Sequence, residues 1–274
     1  MNRIDAKFSS LRATGQKAFV AYITAGDPHL GATAKFAREF ERTGVDVLEL
    51  GVPFSDPLAD GVVNQLAAER ALRSGTTLGR VLRMVAALRR SGGQIPVVLY
   101  IYFNLIHRYG VKEFARAAAR AGVDGVLALD LPPEEAAEYE RAITQAGVHP
   151  IYLVAPTTPA KRVREIARHA TGFLYCISRE GVTGMQPGVS DRMRPMVETI
   201  RRYTELPVCI GFGVSTAAQA ATVAAAVDFN TSRRAMRRPL SWSALASTSC
   251  GMVACSPGHR ALNHESRFYT VPRL

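Results

Sequence analysis

Between residues 18 and 226 the chain repeats one unit seven times: a short, nearly continuous apolar run, then a stretch with helical spacing of apolar positions. The apolar runs cover 18–25, 45–50, 96–102, 125–129, 150–154, 172–178 and 207–211. Helical spacing follows at 32–42, 62–73 with 78–91, 111–121, 133–146, 158–169, 191–203 and 215–226. Strands apolar on both faces and separated by helices predict a parallel sheet covered by helices. A Gly-Val step preceded by Ala or Thr recurs at 43–45, 121–123 and 146–148, where glycine suits the turn that ends a helix. Seven units without a change of pattern favour a closed α/β (β/α)₈ barrel over an open doubly wound sheet.

A barrel needs an eighth strand shortly after 226, and the pattern stops there. Residues 229–274 are rich in Ser, Thr, Arg and Pro and hold the chain's single Trp, Trp242. The expected division is therefore a catalytic barrel over 1–228 and an anomalous tail over 229–274, with the eighth strand–helix unit missing or replaced. The tail reads either as a disordered extension or as a frame-shifted product. Allowed codons for Pro239–Ser247, entered one nucleotide earlier, can encode Ala-Val-Val-Val-Val-Gly-Ser-Gly-Ile, a buried strand ending in a Gly-Ser loop. A disordered tail would leave two unpaired strand edges.

With 274 residues and 47% hydrophobic content, the chain suits one large domain. No apolar stretch reads as a signal peptide or membrane span, so a cytoplasmic location is expected. Net charge is +11, but the tail carries +6 of it through seven Arg against Glu265. The rest is spread over stretches such as Arg80, Arg83, Arg89 and Arg90, expected to be solvated helix faces rather than a nucleic-acid footprint. The four cysteines form no C-x-x-C pair, so neither a disulfide framework nor a zinc site is expected; Cys176 and Cys209 read as buried, inert thiols. The histidines lack ligand spacing, and no metal is expected.

Candidate chemistry gathers where catalytic groups of parallel barrels sit, at the C-terminal strand ends. Glu49 stands in an otherwise apolar strand, between Leu48 and Leu50. A carboxylate there is costly unless paired or functional; a rim ion pair is the alternative. The Pro/Gly/Asp loop that follows carries Asp56 and Asp60, either of which could be a turn former. One acid on a strand and another in the next loop suit acid–base work, because different surroundings separate their proton affinities. Glycine-bearing loops at 181–184 and 211–213 are weak candidates for anion binding.

The run LELGVPFSDPLADG from Leu48 to Gly61 resembles the signature of tryptophan synthase alpha chains. Supporting matches are AFVAYITAGDP at 18–28, SREGVTG at 178–184 and GFGVS at 211–215, and the resemblance spans roughly residues 8–227. It implies a lyase of L-tryptophan biosynthesis that splits indole-3-glycerol phosphate into indole and glyceraldehyde 3-phosphate. Glu49 would be the acid–base group that protonates the ring carbon, and Asp60 would balance charge at the indole N–H. Tyr22, Tyr102, Leu127, Tyr175, Thr183 and Phe212 would contact substrate. Gly184 and Gly213 would bind phosphate through backbone N–H groups, and the family's Gly-Ser pair after strand eight has no equivalent. Pro53, Phe54, Asp56 and Pro57 would face a beta chain in an α₂β₂ tetramer. Pyridoxal phosphate would belong to that partner and no cofactor to this chain. Val62-Val63 departs from a Pro-Thr common in the family. An impaired chain that keeps only beta-chain binding is the alternative.

Overall fold

The computed structural model describes residues 1–177, 193–214 and 251–256, the last as backbone. Seven strands run parallel: β1 (Ala18–Thr24), β2 (Val47–Gly51), β3 (Val97–Ile101), β4 (Gly125–Ala128), β5 (His149–Val154), β6 (Leu174–Ile177) and β7 (Val208–Val214). Each falls within a residue or three of its expected run. An eighth, β8 (Gly251–Ser256), pairs with both β1 and β7 and closes the ring.

β8 departs from the expected pattern in two ways. It comes from the tail, well past 226, and it runs antiparallel to both neighbours. A parallel neighbour needs a long crossover connection, whereas an antiparallel one does not. Any short run of extended backbone can satisfy the open edges of β1 and β7, and Met252-Val253-Ala254-Cys255 does so here. The closure also corrects the reading of Cys209. That residue is disulfide-bonded, and the β7–β8 register sets the Cα of Cys255 opposite it. Cys176 remains a free buried thiol, its proton affinity pushed up to about 12 by burial.

Outside the strands lie α2 (Leu30–Thr43), α3 (Val62–Arg73), α4 (Leu78–Arg90), α5 (Phe103–Tyr109), α6 (Val111–Ala121), α7 (Ala137–Gln145), α8 (Ala160–His169) and α9 (Met193–Arg201). The helix expected over 133–146 is interrupted: a 3₁₀ turn, Pro133–Glu135, precedes α7. The helix expected at 215–226 lies outside the described residues. Gly44, Gly122 and Gly147 close helices or the turns after them with φ of +96°, +83° and +75°, the left-handed backbone that the recurring Gly-Val step foretold. Arg89, expected on a solvated face, is instead drawn inward. Its guanidinium pairs with Asp124 at 2.8 Å, and the side chain is 10% exposed.

Strand alternation divides the buried residues into two layers. The outward row, including Ala21, Leu48, Leu50, Leu99 and Val126, packs beneath the helices. The inward row, including Val20, Tyr22, Val47, Val98, Tyr100, Leu127, Ile151 and Tyr175, fills the barrel. A helix absent from the sequence pattern, α1 (Arg3–Ala13), plugs the N-terminal end with Ile4, Phe8 and Leu11.

Candidate active site

Parallel pairing sets three inward side chains from neighbouring strands at similar height. Glu49 of β2 is in register with Tyr22 of β1 and Val98 of β3, and Tyr100 lies one inward position further along β3. Glu49 is 2% exposed, and among the described residues its Oε1 has no hydrogen-bond partner. Burial, followed by the charge of Asp60, pushes its proton affinity up to about 8, so the carboxyl is protonated at neutral pH. Among the described residues no cation pairs with it, so the rim ion pair considered above is not formed among them.

Asp60 reaches the same interior from the loop after β2. Its backbone N–H donates to Pro57 O at 3.0 Å, and its carbonyl accepts from Gln65 Nε2 at 2.8 Å. The loop is thereby folded back onto the first turn of α3, which begins two residues later. The carboxylate accepts from Tyr100 Oη on Oδ1 at 3.2 Å and from Tyr102 Oη on Oδ2 at 3.1 Å. Asn64 of α3 adds a side-chain hydrogen bond. Burial raises its proton affinity, while the three donors pull it down; the net direction is upward. The two acids therefore differ in kind: Glu49 Oε1 has no partner among the described residues, and Asp60 is held by three donors that oppose the effect of its burial. Such a pair can hold one proton and one charge at once.

Tyrosines surround them. Tyr22 packs edge-on against Tyr100, with ring centroids 5.3 Å apart, and its hydroxyl meets Thr24 Oγ1 at 3.4 Å. Tyr102 accepts from the Ala59 N–H at 2.9 Å and lies 5.1 Å from the Phe54 ring. Tyr175 and Leu127 are buried in the same interior cluster, and the Tyr175 phenol is coupled electrostatically to Glu49. Five of the expected residues (Glu49, Asp60, Tyr22, Tyr102 and Tyr175) thus converge electrostatically, and Leu127 adjoins them. Tyr100 and Asn64 belong to the same site, and the sequence reading missed both. Tyr100 shares inward parity with Tyr102, and that alternation was the signal available for it.

Pro53 is buried, Phe54 and Pro57 are half-buried and Asp56 is exposed, along a loop at the barrel mouth. Gly213 and the backbone of Phe212 lie in β7. Thr183 and Gly184 lie outside the described residues, as does the Phe212 side chain. Among the described residues no cluster of His, Cys, Asp and Glu could hold a metal ion. None of their helices is long and apolar enough to cross a membrane.

A family model described as tryptophan synthase alpha chain matches residues 8–229, and residues 230–274 lie beyond it. The tryptophan synthase alpha chain of Opitutus terrae is 50% identical over 228 residues, covering 83% of this chain and 85% of that one. That of Geobacter sulfurreducens is 48% identical over the same length, covering 83% and 86%. Among solved structures, tryptophan synthase from Mycobacterium tuberculosis superposes with a TM-score of 0.76 at 35% identity, covering 82% of this chain and 85% of that one. Subunit alpha from Legionella pneumophila gives 0.74 at 40% identity, covering 82% and 83%. The barrel, the buried acid pair and these relatives agree, and the chain belongs to the tryptophan synthase alpha chain family.

Proposed function

We propose that Glu49 and Asp60 together carry the retro-aldol cleavage of indole-3-glycerol phosphate to indole and glyceraldehyde 3-phosphate, the carbon–carbon lyase step of L-tryptophan biosynthesis. The observation that carries the assignment is the buried Glu49 Oε1, which has no partner among the described residues and whose proton affinity is raised by burial, beside a donor-held Asp60.

The chemistry balances with these two groups alone. Glu49 gives its proton to the ring carbon that bears the side chain, and Asp60 takes the indole N–H proton. The ring becomes an imine and therefore an electron sink. Glu49, now a carboxylate, takes the proton of the adjacent carbinol hydroxyl. The carbon–carbon bond breaks, its electron pair enters the ring, and an aldehyde forms at the carbinol carbon. Asp60 returns its proton to the ring nitrogen. Positive charge develops at the nitrogen as the ring carbon takes its proton, and it is met by the Asp60 carboxylate before the N–H proton crosses, which is where electrostatic preorganisation acts. Every step is a proton transfer or a bond cleavage, so the chain calls on no cofactor of its own.

The remaining assignments follow the same reading. Tyr22, Tyr102, Leu127, Tyr175, Thr183 and Phe212 line the indole pocket, and Gly184 and Gly213 contribute N–H groups to the phosphate. Pro53, Phe54, Asp56 and Pro57 dock a beta chain in an α₂β₂ assembly that carries pyridoxal phosphate on the partner. The exposed apolar side chains Leu58, Val62 and Val63 beside that loop support a protein-covered face. A biosynthetic lyase of this kind works in the cytoplasm.

Indole release is the test. Glu49→Gln and Asp60→Asn should each lower turnover by roughly 10²-fold or more, the usual cost of deleting an acid–base group. Near-native rates in both variants would remove the assignment.

A further inference from the structure

Asp60 is gripped by two phenols on opposite oxygens, and only one of them, Tyr102, was among the expected site residues. The second hydroxyl comes from Tyr100, a β3 residue that is 4% exposed. Its ring is fixed by the edge-on contact with Tyr22 at 5.3 Å and an interplanar angle of 75°. A carboxylate held at one oxygen can still rotate about its Cβ–Cγ bond. Held at Oδ1 by Tyr100 and at Oδ2 by Tyr102, its plane is set. Tyr102 also accepts a hydrogen bond from Ala59, within the Asp60 loop itself, so it moves with that loop. Tyr100 stands on the rigid strand and ties the loop carboxylate to the barrel.

We propose that Tyr100 is a positioning residue for the lyase reaction: its hydroxyl fixes the orientation of the Asp60 carboxylate and favours its ionised form. The inference rests on the reading of Asp60 as the group that meets the indole N–H. Among the described residues, the titratable groups that face Asp60 are Glu49 from β2, Tyr22 from β1, and Tyr100 and Tyr102 from β3 and its end. The amide of Asn64 faces it from α3. Burial disfavours the charge on Asp60, and the donors offset it, so deleting one donor must move the balance toward the protonated form.

Tyr100→Phe keeps the ring and its contact with Tyr22 and removes only the donor. The expected result in the full chain is a fall in kcat of roughly tenfold, the effect of one lost hydrogen bond to a charged group, with KM changed less. The acid limb of kcat/KM should move up by about one pH unit. The carboxyl carbon resonance of Asp60, followed by NMR in the substrate-free protein, should titrate higher by a similar amount. A purely structural role would lower stability without moving that titration. An Asp60 resonance that titrates identically in Tyr100→Phe and the parent protein overturns the inference. Full turnover in Asp60→Asn would instead overturn the functional reading, and the titration would still report on the Tyr100 contact.

Discussion

Gly51 lies directly beneath the hydroxyl of Tyr22: a Cβ built on Gly51 would stand 2.2 Å from Tyr22 Oη and 2.8 Å from its Cζ. The last residue of β2 must therefore be glycine for the Tyr22 ring to occupy the mouth of the barrel. Gly51→Ala should push that ring toward Tyr100 and Glu49. We expect a loss of about 1–3 kcal/mol in stability, as overpacking usually costs, and lower turnover from a narrowed hollow. Tyr22→Phe in the same chain removes the closest atom but not the ring and should restore part of the stability. Chemical denaturation of the two single variants and the double variant measures this, and strict additivity would exclude the contact as the cause.

Burial of Glu49 also makes fold and reaction sensitive to pH. Its proton affinity rises from the ordinary 4.5 to about 8 in the folded state, so the folded chain holds a proton that the unfolded chain releases. That contribution is fully present below pH 4.5 and is lost as pH rises through about 8. Between pH 6 and 9 the parent protein should lose on the order of 2 kcal/mol that Glu49→Gln does not lose. The same titration removes the proton donor, so kcat/KM for indole release should fall on the alkaline side of about 8. Denaturant midpoints across that range, alongside a pH–rate profile, check both; a flat stability difference between Glu49→Gln and parent would contradict the buried acid.

Glu49 was legible in the sequence because a carboxylate in an apolar strand is costly wherever it points, whereas Asp60 was set apart from Asp56 in the same loop only by the family resemblance. The seven parallel strands were legible for a similar reason: a strand buried on both faces has no polar residues to hide it. Tyr100 was not found because an aromatic in such a strand looks like core, and its hydroxyl partner is set by a loop 40 residues away. α1 was missed because its apolar face is only Ile4, Phe8 and Leu11 along 11 residues. β8 was missed because its residues carry no strand pattern of their own; the open edges of β1 and β7 recruit it.

Asp124 is a structural counterpart to the acid pair. It is 2% exposed, and its carboxylate accepts from Arg3 Nη1 at 2.9 Å, Arg89 Nη2 at 2.8 Å and the Val97 N–H at 2.8 Å. It sits at the start of β4, at the opposite end from Asp60, and lies outside the proposed proton transfers. Asp124→Ala leaves a largely buried guanidinium without its carboxylate and should cost about 3–5 kcal/mol. If the protein stays folded, turnover at 25 °C should be close to that of the parent. A folded Asp124→Ala protein with kcat reduced as far as Asp60→Asn would contradict this separation of roles.

The floor of the barrel offers the clearest test of why α1 is there. A Cβ on Gly125 would stand 2.8 Å from Ile151 Cδ1 and 3.0 Å from Ile4 Cδ1. The absence of a side chain at the first residue of β4 thus makes the space that Ile4 fills. Ile4 is fully buried, so Ile4→Ala should cost about 2–5 kcal/mol, the transfer loss plus a cavity. Gly125→Ala should cost about 1–3 kcal/mol by overpacking the same spot. In the double variant the new methyl group occupies part of the vacated volume, so the combined loss should be smaller than the two single losses added together. That interaction should be on the order of 1 kcal/mol, within the range seen for residues in contact. Denaturant unfolding of the four chains measures it. Additive losses would mean that α1 does not pack into the barrel through Ile4, and the plug would have to be sought in Phe8 and Leu11 instead.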